Sequence, residues 1–248
     1  MAGRKVLMVT GGGRGIGAAV VRLAAARGWD VGFTYAGNAA RAAETGDAAR
    51  AAGAEVLALQ ADVADAAAVA RSFAALDERF GGRLDGLVNN AGITGPRGLL
   101  AETPDAVWDQ VLRTNVLGTV ACCREALRRM RGAAGGAIVN VSSRASALGG
   151  GGEWIHYAAS KGAMDTLTIG LAKEAAAQGV RVNAVSPGLI DTELHAAAGM
   201  PDRVARMAGG VPMARGGSAE EVAEAVLWLL SDAAAYVTGA ILPVSGGR

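Results

Sequence analysis

The stretch Thr10-Gly11-Gly12-Gly13-Arg14-Gly15-Ile16-Gly17 decides the fold of this chain. An apolar run from Val6 to Thr10 precedes it, and an Ala-rich helical pattern from Ile16 to Arg27 follows it. Glycines between a strand and a helix permit positive φ angles, and they let the pyrophosphate of a dinucleotide rest on the helix N-terminus. No Gly-Lys-Ser/Thr follows, which excludes a Walker-type loop. We therefore predict a dinucleotide site here, with an ordinary glycine-rich turn as the alternative.

Apolar runs alternate with helical patterns along the whole chain. The further apolar runs are Val31 to Tyr35, Val56 to Leu59, Gly86 to Asn89, Ala137 to Val141, Val180 to Val185 and Ala240 to Val244. The clearest further helical patterns are Pro104 to Arg131, Trp154 to Gln178 and Ser218 to Leu230. Continuous apolar runs are typical of parallel strands that are buried on both faces. The pattern predicts the α/β class, with residues 1–248 as one doubly wound, three-layer α/β/α domain of the Rossmann type.

Composition excludes several partners. Lys plus Arg number 24 and Asp plus Glu number 23 among 248 residues, a balance that argues against nucleic acid or an anionic membrane as a main partner. No run approaches the roughly 18 apolar residues of a spanning helix, and the first ten residues do not resemble a signal peptide. The neighbours Cys122 and Cys123 cannot staple distant segments. We expect an untargeted cytoplasmic protein.

One long irregular region, Asp191 to Gly217, contains two prolines and several glycines. Long irregular connections inside a compact domain are usually functional. This region follows the strand Val180 to Val185, where ligands of open α/β sheets bind. We predict that residues 191–217 form a substrate lid, with a rigid excursion of short helices as the alternative.

The end of the second predicted strand bears on the type of dinucleotide. An NAD-type site usually places a carboxylate there for the ribose 2′-hydroxyl, and Tyr35 to Asn38 contains none. The charge of Arg14 could meet a 2′-phosphate, and Arg41 is a weaker second candidate. We therefore predict NADP(H) in preference to NAD(H), with a solvated turn residue as the alternative for Arg14.

Tyr157 and Lys161 stand four residues apart at the start of a helical pattern, so their side chains share a face. A free phenol has a pKa of about 10, too high for a general base near neutrality. A neighbouring ammonium and the helix N-terminus favour the phenolate and would lower that pKa. The pair could therefore act as an acid/base catalyst. Tyr and Lys at this spacing are also common on ordinary helices, so the pair alone does not decide.

Further motifs accompany this pair in a recurring order: the glycine turn, Asp62-Val63, Asn89-Asn90-Ala91-Gly92, Asn115, Ser142-Ser143, and Pro187-Gly188 followed by Thr192. In this order and at these separations the sequence resembles the short-chain dehydrogenase/reductase family over nearly its whole length. The glucose/ribitol dehydrogenase-like and ketoacyl-carrier reductase-like branches are the most similar. The resemblance implies hydride transfer between a nicotinamide cofactor and an alcohol or carbonyl substrate, and it implies a homotetramer.

The resemblance also implies residue roles. The catalytic set would be Asn115, Ser143, Tyr157 and Lys161, in which Ser143 hydrogen bonds the substrate oxygen and Asn115 holds a water that links Lys161 to solvent. The implied cofactor-binding residues are Gly11, Gly13, Arg14, Gly15, Ile16, Gly17, Asn38, Asp62, Val63, Asn89, Ala91, Gly92, Tyr157, Lys161, Pro187, Gly188, Ile190 and Thr192. Taken singly, Asp62 could instead cap the helix that begins near Asp65. Likewise, Asn115 could merely bend a helix.

Other side chains near these motifs are weaker candidates. Thirteen residues separate Ser143 from Tyr157, about one more than in many relatives, and Trp154 and His156 among them could touch substrate or simply pack. His195 could belong to the lid, although a lone loop histidine is more often a surface residue. Two histidines and two adjacent cysteines predict no metal cluster. The arginines at the end of one helix complement its dipole, with a patch for an acidic carrier protein as the sharper hypothesis: Arg124, Arg128, Arg129 and Arg131.

The motifs together with the family resemblance imply an NADP(H)-dependent oxidoreductase that interconverts a carbonyl and a secondary alcohol, and they leave the substrate open. The walls of the substrate pocket, 92–99, 144–154 and 192–210, are mostly small or apolar, and they lack the several convergent charges expected for a phosphorylated or polyanionic substrate. A non-catalytic NADP-binding regulatory protein is the main alternative. Longer dehydratases or epimerases carry an added C-terminal domain, and enoyl reductases space Tyr and Lys further apart.

Overall fold

The computed structural model describes residues 4–131, 135–194 and 198–248. These residues form one parallel sheet in the order β3-β2-β1-β4-β5-β6-β7. Its strands are β1 (Lys5–Thr10), β2 (Trp29–Tyr35), β3 (Val56–Gln60), β4 (Gly86–Asn89), β5 (Gly136–Val141), β6 (Val180–Pro187) and β7 (Ile241–Val244). The predicted doubly wound Rossmann sheet is confirmed, and the observed strand ends differ from the predicted ones by at most two residues.

Helices connect the strands. They are α1 (Gly15–Ala26), α2 (Ala39–Ala51), α3 (Ala66–Phe80), α4 (Asp105–Leu112), α5 (Gly118–Met130), α6 (Ala145–Leu148), α7 (Ile155–Ala175), α8 (Arg203–Met207) and α9 (Ala219–Leu230). Capping marks their starts: Asp65 accepts from the amide of Ala67 at 2.8 Å, and Ser218 forms a capping box with Glu221. None of the described helices is long and apolar enough to cross a membrane.

Two apolar cores lie on opposite faces of the sheet. Helices α1, α2 and α9 cover one face, where Val20, Ala49 and Val226 pack against strand residues. Helices α3, α5 and α7 cover the other, where Phe73 and Met130 are fully buried. Both faces of the strands are therefore shielded from water, which explains their continuous apolar sequences.

The strand order reverses between β1 and β4, and this opens a crevice at their carboxyl ends. Thr10 joins the two strand ends, because its hydroxyl accepts from the amides of Asn90 at 3.0 Å and Ala91 at 3.1 Å. The side chain of Asn90 in turn donates to the carbonyls of Thr10 at 3.0 Å and Gly11 at 2.9 Å. The glycine turn and the segment after β4 are thus held together as the floor of one site.

Two local predictions were wrong in detail. The helix expected from Pro104 to Arg131 is divided, because residues Arg113–Leu117 form a π-helical turn between α4 and α5. A π turn has hydrogen bonds one residue longer than an α turn, and periodicity alone does not reveal it. The loop expected from Arg144 to Trp154 contains the short helix α6, which ends at Gly149 with φ 78°.

Candidate active site

A cavity of about 730 Å³ opens at the carboxyl ends of the strands. Its volume lies within the range of small-molecule and cofactor sites. Most predicted site residues line it together: Gly11, Gly13, Arg14, Gly15, Ile16, Asn38, Asp62, Val63, Ala91, Gly92, Ser143, Tyr157, Lys161, Pro187, Gly188, Ile190 and Thr192. Three predicted residues, Gly17, Asn89 and Asn115, do not line it.

The glycine turn has the shape expected of a phosphate cradle. Gly11 and Gly15 have φ angles of 65° and 53°, which favour glycine. A Cβ at Gly17 would stand 2.3 Å from the carbonyl oxygen of Gly11, so Gly17 acts from behind the cavity by allowing α1 to approach the turn. The first turn of α1 has no acidic residue and no side-chain cap, so its N-terminus is available to an anion.

The end of β2 borders the same cavity. Asn38 caps α2, because its side chain accepts from the amide of Arg41 at 3.0 Å, and it also lines the cavity. Arg14 is exposed at the rim and has no ion-pair partner among the described residues. Arg41 pairs with Glu193 and, at 3.3 Å, with Glu44. Arg14 and Arg41 therefore place two positive charges beside this part of the cavity. Residues 35–38 place no carboxylate there.

The segment after β3 supplies another part of the wall. Asp62 lines the cavity while its carboxylate accepts from the amide of Ala64 at 2.9 Å. Asp65, rather than Asp62, caps α3. Val63 is buried against Gly118, where an added Cβ would come within 2.9 Å of it. The alternative of Asp62 as the helix cap is therefore wrong.

Ser143, Tyr157 and Lys161 line the same part of the cavity. Ser143 follows β5, and Tyr157 lies in the first turn of α7. The hydroxyl of Ser143 lies close enough to the phenol of Tyr157 to lower the pKa of that phenol. The ammonium of Lys161 donates to the carbonyl of Val141 at 2.8 Å and lies 5.6 Å from the centroid of the Tyr157 ring. The hydroxyl of Ser143, the phenol of Tyr157 and the ammonium of Lys161 thus form one polar group of side chains in the cavity wall.

The pKa of Tyr157 does not follow the expectation drawn from Lys161. Burial raises the pKa of Tyr157 above its ordinary value, while the hydrogen bond to Ser143 lowers it to a lesser extent. Burial also lowers the pKa of Lys161 to about 8, partly offset by the charge of Asp165. The expected downward shift of the phenol pKa was wrong in this arrangement, because desolvation of the phenolate is the largest influence and Ser143 offsets only part of it.

Asn115 lies behind the cavity wall, in the π turn between α4 and α5. Its side chain accepts from the amide of Ile93 and donates to the carbonyl of Ile93, both at 2.9 Å. It also donates to the hydroxyl of Ser160 at 2.9 Å. Asn115 therefore fixes the main chain beside Gly92 and ties it to α7. Its predicted contact with a water stays a prediction.

Asn89 points away from the cavity, into the core. Its amide donates to the side-chain oxygen of Asn140 at 2.9 Å and lies 3.3 Å from the sulfur of Cys123. Asn140 continues this buried network to the hydroxyl of Thr168 at 2.8 Å. The structure therefore places Asn89 as a link between β4, β5 and α7, and any effect on a cofactor would be indirect.

The stretch after β6 returns to the glycine turn. Thr192 contacts Gly15, where a Cβ would stand 3.5 Å from its methyl group. Gly188 lies so close to Ser245 that a Cβ would come within 2.8 Å. Ile190 forms a parallel bridge with Gly217, which closes the neck of the irregular segment. Pro187 to Thr192 therefore forms the wall between the glycine turn and Tyr157.

The expectation that convergent charges are absent from the substrate walls was wrong. Arg144, Glu153, Arg203 and Arg248 all line the cavity. Arg203 is buried and forms hydrogen bonds of 2.7 and 2.6 Å with the carboxylate of Glu153. Neither Arg203 nor Arg248 belongs to a motif, so only their position in the fold reveals them.

The side chains that the sequence offered as weaker candidates differ in their positions relative to the cavity. Trp154 lines the cavity and donates to the carbonyl of Gly95 at 3.2 Å, while His156 packs in the interior and contacts the carbonyl of Thr94 at 2.8 Å. His195 lies outside the described residues. No group that could hold a metal ion occurs among residues 4–131, 135–194 and 198–248. Arg129 pairs with Asp77 and Glu125, and Arg128 with Glu125, which weakens the hypothesis of a carrier-binding patch.

Comparison with known proteins identifies relatives that match nearly the whole chain. A family model described as "Enoyl-(Acyl carrier protein) reductase" matches residues 11–248. An uncharacterized oxidoreductase of Escherichia coli (strain K12) is 50% identical over 98% of this chain and 99% of its own length. The cis-4-hydroxycyclohexanecarboxylate dehydrogenase of Sinomonas cyclohexanicum is 44% identical over 98% of this chain and 96% of its own.

Solved structures match the fold equally well. A short-chain dehydrogenase/reductase from Serratia marcescens superposes with a TM-score of 0.91 at 38% identity, over 98% of this chain and 97% of that chain. A blue fluorescent protein from a metagenomic library in complex with NADPH has a TM-score of 0.90 at 35% identity, over 99% and 98% of the two chains. A xylitol dehydrogenase bound to NAD⁺ has a TM-score of 0.90 at 32% identity, over 98% of each chain.

Most of the expected site residues line one cavity at the point where the strand order reverses, and the matches extend over nearly the whole chain. The chain belongs to the short-chain dehydrogenase/reductase family, whose members are oxidoreductases that bind nicotinamide cofactors.

Proposed function

We propose that this protein uses NADP(H) to interconvert a carbonyl and a secondary alcohol by hydride transfer, with Tyr157 as general acid and base. The observation that carries the proposal is the single cavity that Ser143, Tyr157 and Lys161 share with the glycine turn. A cofactor phosphate on that turn and a substrate oxygen beside Tyr157 would occupy two ends of one continuous space.

The cavity fits a dinucleotide on three grounds. Its glycine turn leaves the N-terminus of α1 uncapped by any side chain. Its wall after β6 brings Thr192 against Gly15. Its volume of about 730 Å³ is that of a cofactor site. A bound nicotinamide would supply or accept the hydride, and the chain would supply orientation and proton transfer.

The preference for NADP(H) rests on charge. Arg14 and Arg41 border the cavity at the end of β2, where residues 35–38 provide no carboxylate for a ribose 2′-hydroxyl. A 2′-phosphate would therefore meet two guanidinium groups and no repulsion from β2. Glu193 and Glu44 both pair with Arg41. Their negative charges reduce the attraction of Arg41 for a 2′-phosphate and so moderate the preference for NADP(H).

In the reductive direction Tyr157 would donate its proton to the substrate oxygen, and Ser143 would donate a hydrogen bond to the same atom. The raised pKa keeps the phenol protonated at neutral pH, which suits a proton donor. In the oxidative direction the phenol must first lose that proton. Lys161 would hold a positive charge close to the phenolate and stabilise it at that stage.

A kinetic screen tests the proposal. Consumption of NADPH and of NADH would be followed with cyclic ketones, sugars, ketoacyl thioesters and an enoyl thioester. We expect ketone reduction with NADPH, and loss of that reduction in the Tyr157→Phe variant. Binding of NADPH without turnover of any carbonyl would instead favour the non-catalytic regulatory protein. Turnover of the enoyl thioester alone would replace carbonyl reduction by alkene reduction.

We also propose a homotetramer. Exposed apolar side chains on the outer helical surfaces support assembly, among them Leu117 in the π turn, Ile169 on α7 and Trp228 on α9. Sedimentation of the purified protein at four times the 24.7 kDa of one chain is the expected result. A monomeric species across the working concentration range would contradict it.

A further inference from the structure

Charged side chains collect on the substrate side of the cavity. Arg144 directly follows Ser143, and Glu153 precedes Tyr157 by four residues, so both lie beside the catalytic centre. Arg203 reaches the same wall from α8, and Arg248 reaches it from the segment after β7. Four ionisable groups therefore line the cavity near Ser143 and Tyr157.

Arg203 and Glu153 satisfy each other's hydrogen-bonding groups and charge. Their two hydrogen bonds of 2.7 and 2.6 Å form a bidentate pair, and the Arg203 guanidinium stacks 4.7 Å from the centroid of the Trp154 ring. Only 9% of the Arg203 side chain is exposed. This pair links the irregular segment to the wall before Tyr157, so the Glu153 carboxylate is already engaged by Arg203.

Arg144 and Arg248 remain with unused donors. The Nε of Arg144 donates to the main-chain oxygen of Arg248 at 2.8 Å, and the hydroxyl of Ser245 donates to the same oxygen at 2.9 Å. This contact brings the two residues together. Among the described residues, no acceptor meets the Nη groups of Arg144 or any part of the Arg248 guanidinium, although both side chains line the cavity and are half-buried.

Half-buried guanidinium groups with unused N–H donors can bind an anion. Their planar fork of N–H groups matches the two oxygens of a carboxylate. The rest of this wall is apolar, with Leu148, Trp154 and Leu189. The Glu153 carboxylate in the same wall would repel a doubly charged group such as a phosphate more strongly than a singly charged one. A compact apolar body that carries one carboxylate matches these features.

We propose that the substrate is a hydroxy acid or keto acid whose carboxylate, remote from the reacting carbon, binds to Arg144 and Arg248. This inference rests on the proposed carbonyl reductase activity and adds the class of substrate. Arg144 and Arg248 would then set specificity, while Tyr157 and Ser143 act on the oxygen at the other end of the molecule.

The test compares matched substrates at saturating NADPH: 4-oxocyclohexanecarboxylate, its methyl ester and cyclohexanone. We expect kcat/KM for the acid to exceed that for the ester by about tenfold or more, since a hydrogen-bonded charge pair is worth that factor. Arg248→Gln should abolish this preference by raising KM for the acid far more than it raises KM for the ester. Arg248→Lys should retain part of it because the charge remains.

Two controls separate the possible outcomes. Arg124→Gln removes an exposed arginine outside the cavity and should change kcat/KM for neither the acid nor the ester. Thermal unfolding of each variant identifies misfolding. Arg144→Gln is a second variant of the proposed carboxylate site and should also reduce the preference for the acid.

Equal kcat/KM for acid and ester, or an equal loss for both in Arg248→Gln, overturns the inference. A stronger preference for dihydroxyacetone phosphate over dihydroxyacetone overturns the carboxylate in favour of a phosphate. Failure of every ketone refutes the proposed function itself.

Discussion

Arg41 and Glu193 form an ion pair that joins the helix after β2 to the segment after β6. The carboxylate of Glu193 also faces the glycine turn, since a Cβ at Gly15 would lie 3.7 Å from it. The charge of Arg14 acts on the same carboxylate, whose pKa is lowered by a hydrogen bond from its own main chain and by Arg41. Glu193 therefore lies between the two cations that we assign to a 2′-phosphate.

Glu193→Gln should strengthen the binding of NADP⁺ relative to NAD⁺. The 2′-phosphate and Glu193 compete for Arg41, and exposed ion pairs of this kind are weak, so the gain should be about two- to fivefold. Fluorescence titration of both cofactors measures it. Glu224→Gln is the matched control, because Glu224 pairs with Arg27 outside the cavity. Weaker NADP⁺ binding in Glu193→Gln would contradict the competition.

Ala36→Asp should shift cofactor preference toward NAD(H). A carboxylate at the end of β2 accepts from a 2′-hydroxyl and repels a 2′-phosphate. Steady-state kcat/KM with each cofactor measures the shift, which we expect at about tenfold or more against NADPH. Arg14→Ala should lower kcat/KM with NADPH and leave that with NADH nearly unchanged. Equal or better efficiency with NADH in the unaltered protein would refute the assignment.

Tyr157→Phe should retain cofactor binding and lose turnover. The ring still packs in the wall, whereas the proton donor is gone, and loss of general acid/base catalysis typically costs about 10²–10⁴-fold. NADPH titration and stopped-flow reduction of a ketone measure the two effects separately. Ser143→Ala provides a comparison that keeps the phenol and removes its hydrogen-bond partner. Near-normal turnover in Tyr157→Phe would exclude this residue as the proton donor.

Lys161 should make stability depend on pH in the alkaline range. Its pKa is about 8 in the folded protein and near 10.5 when unfolded, so the folded state binds fewer protons between these values. The contribution of Lys161 to the free energy of unfolding therefore rises with pH above about 8. Relative to Lys161→Met, the unaltered protein should gain on the order of 1–2 kcal/mol between pH 7.5 and 9.5 in urea unfolding. A constant difference across this range would contradict the buried ammonium.

The irregular segment 191–217, of which residues 195–197 lie outside the described part, should close over the cavity when NADPH binds. The bridge between Ile190 and Gly217 holds its neck, and the pair of Arg203 with Glu153 is its main tie to the wall before Tyr157. Amide hydrogen exchange with and without NADPH measures closure as increased protection in the complex. Equal protection in both states would make the segment a rigid excursion. Glu153→Gln should speed exchange in the free protein by loosening the tie.

Much of the fold could be predicted because its signals are local. Each strand is a short apolar run, and each run is followed by a turn or helical pattern within a few residues. The glycine turn specified where α1 begins, and the spacing of Tyr157 and Lys161 placed both on one face of α7. The π turn at Asn115 and the core position of Asn89 were not predictable, since both depend on partners far along the chain.

The amino-acid pattern is sufficient to predict the parallel sheet, the position of the cavity and most of the motifs that line it. The charge of the substrate wall and the direction of the Tyr157 pKa shift, in contrast, follow from the folded arrangement. Arg203 stands 50 residues from Glu153 and Arg144 stands 104 from Arg248, separations at which no periodicity links two residues. Desolvation of a phenol likewise depends on every element packed around it, so a nearby lysine in the sequence could not reveal its outcome.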